Sequence, residues 1–65
     1  VGYRRHVGRR LIVQLDGETL DGVLQRADRR TLTLRETALV AGDRRTPIDG
    51  LVVIERARIA WAQVP

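Results

Sequence analysis

Residues 7 to 28, VGRRLIVQLDGETLDGVLQRAD, alternate apolar and polar side chains through a tight turn and carry a glycine in the middle of the second apolar run. Alternation at period two marks a strand with one buried face. Leu11, Val13 and Leu15 point one way, and Ile12, Gln14 and Asp16 the other. Asp16-Gly17 is a favoured hairpin turn, because glycine accepts the positive φ that tight turns demand, so the residues from Glu18 to Arg26 return antiparallel. Leu20 and Leu24 then share the inward face with Gly22 between them. A glycine at such a position gives up packing and marks a bulge, a bend or a close backbone approach. The expectation is that Gly22 lets the second strand bend sharply enough to serve both halves of a small closed sheet.

The rest of the chain continues in the same style. Leu32 and Leu34, with Thr31 and Thr33 between them, predict a third strand over 31–36. TALVAGDRRTP, residues 37–47, holds Gly42, Asp43 and Pro47 and reads as a longer polar-tipped connection, with Gly42 to Arg45 as an exposed turn. IDGLVVIE, 48–55, reads as a fourth strand. After a polar break, RIAWAQV, 58–64, reads as a fifth, whose alternation places Ile59 and Trp61 on one face in the core or a subunit contact. Tyr3 and Val7 are four apart, which suits a short helical turn capping the barrel end. Five short antiparallel strands cannot make two good layers. The predicted fold is all-β, a small, strongly bent five-stranded antiparallel barrel with a short N-terminal helical turn. Residues 1–65 form a single domain: a basic arm or short helix over 1–8 and the barrel over 9–64.

Size sets the next constraint. A chain of 65 residues buries only about 60% of its unfolded surface and is marginal alone. With no cysteine and a single histidine, His6, neither a disulfide nor a zinc site supplies the missing stability, which leaves oligomerisation. All 12 basic residues are arginines, against 8 acidic residues, for a net charge of +4. Arginine binds phosphate bidentately and stacks on bases, so this balance suits polyanions, although GC-rich codon usage also writes arginine in place of lysine. Arg4, Arg5, Arg9 and Arg10 form the densest basic cluster. Serine is absent, and Asp16 and Asp49 each precede a glycine and are explained as turn formers. The expectation is a protein that is not an enzyme and needs no cofactor or metal. No apolar run approaches the roughly 20 residues of a membrane span, and VGYRRHVGRR has no signal-like apolar stretch. No membrane partner is expected, and the expected location is the cytoplasm or, alternatively, a virion.

Gly8, Leu11, Val13, Leu15, Asp16-Gly17, Leu20, Gly22, Leu24 and Asp28, followed by Leu32 and Leu34, resemble the first motif of the Sm-like (LSm, Hfq-type) family. Ile54 and Ile59 in IERARIAW, with Trp61 following, resemble its second. The resemblance implies rings of five to seven subunits, closed by the fourth strand of one copy on the fifth of the next, with RNA at the pore on the loops after the second and fourth strands. Carried onto this chain, the first loop is Asp28, Arg29, Arg30 and Thr31, and the second is Glu55, Arg56 and Ala57. The pocket is divergent. Arg30 and Thr31 stand where uridine-binding members place a stacking residue and an asparagine, and Glu55-Arg56 replaces their Arg-Gly. The candidate RNA-binding residues are Asp28, Arg29, Arg30, Thr31 and Arg56, with Arg4 and Arg5 from the arm.

The function so implied is an RNA-binding homo-oligomeric ring of bacterial or phage origin, a platform for single-stranded RNA. The alternative is a structural ring in a larger particle, such as a phage virion or tail, partnered by other structural proteins. A monomeric SH3-like adaptor is weaker, because peptide grooves of that kind are lined with aromatics and this chain has only Tyr3 and Trp61.

Overall fold

The computed structural model describes residues 2–65. A 3-10 turn at Tyr3–His6 leads into β1 (Arg10–Gln14), β2 (Thr19–Ala27), β3 (Thr31–Ala41), β4 (Arg44–Ile48) and β5 (Val52–Glu55); a second 3-10 turn, Arg56–Arg58, precedes β6 (Trp61–Gln63). All pairings are antiparallel, in the order β4-β3-β2-β1-β6, with β5 also on β3. This is the bent all-β barrel with an N-terminal turn that the alternation predicts. Leu11, Val13, Leu15, Leu20, Leu24, Leu32 and Leu34 are all buried, as their phase requires, and Ala27 and Ile54 complete the core. Fully burying a leucine or valine contributes about 1.5–3 kcal/mol, so this cluster is the chief source of stability.

The structure has six strands where the sequence predicts five: the segment 48–55, expected as one strand, ends β4 at Ile48, turns, and resumes as β5. β4 pairs with residues 37–41 of β3 and β5 with residues 31–34, along the same edge. Asp49 and Gly50, the latter at φ +79°, turn the chain between them. Two further sequence expectations are corrected here. TALVAGDRRTP is not a connection: β3 runs on to Ala41, turns at Gly42 (φ +60°) and returns as β4. Polar composition concealed a strand because β4 has β3 as its one neighbour and exposes most of its side chains; an edge tolerates Arg44, Arg45 and Pro47 where a central strand would not. The last strand shortens to Trp61–Gln63, because Arg58 belongs to the 3-10 turn and Ile59 caps it. Ala62 and Val64, rather than Trp61, then pack on the core, and Trp61 is 52% exposed.

Gly22 acts differently from the expectation. It is buried, but its φ is not positive. Across from it, Gly22 alone separates Asp21 and Val23, whereas Glu36 and Thr37 together separate their partners Arg35 and Ala38. The extra residue that bends the sheet therefore lies on β3, where Glu36 takes φ +49°. A β-carbon on Gly22 would sit 2.7 Å from Thr37 Oγ1 and 3.2 Å from the Arg35 carbonyl oxygen. Glycine is needed for room. A second register shift, between Leu24 and Arg26, puts another bulge on β2.

On the outer face, Asp21 accepts hydrogen bonds from Arg10 Nη1 (2.9 Å) on β1 and from Arg45 Nη1 on β4. Burial opposes ionisation of this carboxyl, but the two guanidinium hydrogen bonds and charges outweigh it and hold its pKa below the ordinary 3.8. A carboxyl depressed on folding stabilises the fold fully above its ordinary value and loses that contribution as pH falls through the lower folded value. Asp21→Asn is therefore expected to be less stable than the parent at pH 7, with the gap in urea midpoints closing in acid below 3.8. A gap that stays constant with pH would show that the clip carries no ionic contribution.

Candidate functional site

The two loops singled out in the sequence meet at one end of the barrel. The β2–β3 connection is a tight turn in which the Asp28 amide donates to the Thr31 carbonyl at 2.8 Å. The Asp28 carboxylate accepts from the Thr31 hydroxyl (3.3 Å) and from Arg26 Nε (3.2 Å), the local bonding for which aspartate is favoured in turns. Arg29 and Arg30 form its exposed tip. The 3-10 turn after β5 docks on this tip twice: the Arg56 amide donates to the Arg30 carbonyl and Arg56 Nη1 to the Asp28 carbonyl, each at 2.7 Å. The Arg56 guanidinium also lies over the Tyr3 ring, 4.9 Å from its centroid, a cation–π contact that ties the N-terminal turn to both loops.

Arg4, Arg29 and Arg56 thus share an open cavity with Gly2, Tyr3 and Asp28, and Arg30 lies beside it on the tip of the same turn. Among the described residues no ion pair engages Arg4, Arg29, Arg30 or Arg56. The predicted residues separate into two roles. Asp28 and Thr31 shape the turn, whereas the arginines present donors. Arg5 is exposed on the same 3-10 turn but borders neither cavity at this end. Arg56 spends one of its N–H groups on Asp28, and a guanidinium has five, so it can still grip an anion.

Sequence reasoning missed the junction made by Tyr3 and Arg56, and with it a second cavity behind the pair, bordered by His6, Ala62 and Val64. Tyr3 and Arg56 are 53 positions apart (56 − 3), and only the curl of the sheet brings them together.

The fold is shared with solved structures at low sequence identity. The chain is 17% identical to a heptameric archaeal Sm protein, with a TM-score of 0.85 over 95% of this chain and 93% of that one. It is 24% identical to a chain of the NatC complex bound to CoA, with a TM-score of 0.84 over 100% of this chain and 86% of that one. A chain of the NatC complex bound to Gag peptide and CoA matches at 24% identity and a TM-score of 0.83, over 98% and 92% respectively. No protein-family model and no curated protein matches the sequence. The fold is Sm-like.

Proposed function

We propose that copies of this chain close into a ring through the outer edges of β5 and β6, and that the ring is a platform for single-stranded RNA. It acts by binding, without a chemical step, in the cytoplasm or inside a particle. The observation that carries this reading is the convergence of Arg4, Arg29, Arg30 and Arg56 at one end of the barrel. In a ring, that cluster is repeated around one axis, and a circle of guanidinium groups attracts phosphates and stacks on bases. Among the described residues β5 pairs only with β3, and β6 only with β1, so each has an edge that a neighbour would satisfy. The heptameric Sm protein of the same fold supports such closure. The likeness to chains of the NatC complex favours a second reading, an assembly module whose partners are proteins.

Native mass, with absorbance at 260 and 280 nm across the same peak, separates the two. The platform predicts five to seven copies of the 7.3 kDa chain carrying RNA until nuclease and high salt remove it. A ring free of RNA moves the assignment to the assembly module, and a monomer removes the ring while leaving a module with protein partners standing. For the platform, the logarithm of the binding constant should fall linearly with the logarithm of salt, by about 0.7 per phosphate neutralised on a single strand. Replacing Arg29 and Arg30 together by alanine should lower that slope by about 1.4 for each subunit that the strand touches. An unchanged slope would remove the turn from the RNA path.

A further inference from the structure

The stacked Tyr3–Arg56 pair stands between two cavities of different character. On one side is a space of about 310 Å3 bordered by Gly2, His6, Ala62 and Val64, whose walls are an imidazole, a phenol ring and aliphatic carbon. On the other is a larger and somewhat more enclosed basin of about 470 Å3 bordered by Arg4, Ala27, Asp28 and Arg29. Gly2, Tyr3 and Arg56 border both. The basin is cationic, because three arginines face one aspartate, and that aspartate is already held by Arg26 and Thr31.

A ligand that fills both must be a flat, weakly polar ring joined to an anion. A nucleotide has that form. We propose that the adjoining cavities form a mononucleotide site, with the base in the space beside Tyr3 and His6 and the phosphate in the basin on Arg4, Arg29 and Arg56. The smaller cavity lies at the lower end of the range in which small-molecule sites fall, which suits a single base. Tyr3 supplies a stacking face, His6 a ring nitrogen for hydrogen bonding, and Ala62 and Val64 an apolar floor. These four residues lie outside the two loops that the family resemblance implies for RNA. The site is consistent with the RNA reading and extends it, since a strand lying on the arginine cluster would place one base in the slot; a free nucleotide has the same chemistry.

Amide chemical-shift titrations of the full chain with uridine and adenosine monophosphate, and separately with hexauridylate, test the site and its source of ligand. The expected result is perturbation at Gly2, Tyr3, His6, Ala62 and Val64 by both kinds of probe. Tyr3→Leu, which keeps apolar bulk but not the ring, should weaken hexauridylate binding at least tenfold, since each base–aromatic stack lost costs about that factor, with the salt slope unchanged because no phosphate contact is lost. Tyr3→Phe should bind as the parent does. Perturbations confined to Asp28–Thr31, with Tyr3→Leu binding normally, would overturn the base slot and leave the RNA platform standing. Mononucleotide binding at the slot without any binding of hexauridylate would support the site and overturn the platform. Silence toward all three probes would overturn both. Should Tyr3→Leu fail to fold, the parent shift map and Tyr3→Phe still decide.

Discussion

Gly22→Val is expected to leave a chain that no longer unfolds cooperatively in urea at 25 °C, although valine is the better strand former. A β-carbon at this position meets Thr37 Oγ1 at 2.7 Å, the Arg35 carbonyl oxygen at 3.2 Å and Leu34 Cβ at 3.2 Å. The carbonyl is backbone of the β3 bulge, and moving it away disturbs the β2–β3 ladder that runs through the centre of the barrel. Overpacking of a tight site costs about 1–3 kcal/mol for a small addition and more for a branched one. Native domains hold only about 0.05–0.15 kcal/mol per residue, so a chain this short has little to lose. Gly22→Ala should fold with its urea midpoint clearly lowered. Thr37→Ala removes the nearest atom, a hydroxyl that is buried without a hydrogen-bond partner, and should recover part of the loss when combined with Gly22→Ala. A Gly22→Val protein as stable as the parent would show that the strands can part freely there, and the close-approach argument would fail.

The second large effect concerns assembly. Val53→Arg is expected to convert the proposed ring into monomers of 7.3 kDa while leaving the barrel folded. Val53 is 64% exposed, and Leu51 beside it 56%. An exposed position with no core contact tolerates a charge within about 0.5 kcal/mol. The same charge on a strand edge opposes edge-to-edge pairing, which is why natural edges carry charges. Trp61→Arg on β6, at the other free edge, should act alike, since both partners of one head-to-tail contact are required for closure. RNA affinity should fall with the ring, because a strand bound by several subunits gains from effective concentration that a monomer lacks. Circular dichroism identical to the parent, together with sedimentation as a monomer, is the expected pair of results. A variant that stays at the parental mass would place the subunit contact elsewhere.

Much of this was legible along the chain. The inward phase of Leu11, Val13, Leu15, Leu20, Leu24, Leu32 and Leu34 appears as strict alternation, and each is buried. Asp16-Gly17 and Asp49-Gly50 announce turns, and both glycines take positive φ. The resemblance to the Sm-like family implies that the loops of Asp28 to Thr31 and Glu55 to Ala57 lie together, and the bonds from Arg56 to Asp28 and Arg30 join them. Elsewhere local pattern was a poor guide. β4 escapes notice because an edge strand needs no apolar face. Alternation places Ile59 and Trp61 together in the core or a subunit contact; Ile59 does pack on the core, but the 3-10 turn resets the count, hands the inward positions of β6 to Ala62 and Val64, and leaves Trp61 exposed at the strand edge.

The division follows from the range of the forces involved. Alternation, turn chemistry and charge act between residues close in sequence or depend only on composition, so the chain by itself determined an all-β barrel, its hairpins, its core leucines and its basic character. Whether a glycine bends its own strand or makes room for another, and whether a bulge falls on β2 or β3, depends on pairs brought together by strand register. The same holds for Tyr3 and Arg56, which meet only when the N-terminal 3-10 turn and the 3-10 turn after β5 reach the same end of the barrel. Those contacts exist only once the sheet has curled, because their geometry is set by bulges and pairing rather than by neighbours in the chain. Tertiary structure alone therefore decided the contact of Tyr3 with Arg56 and the cavities on either side of it.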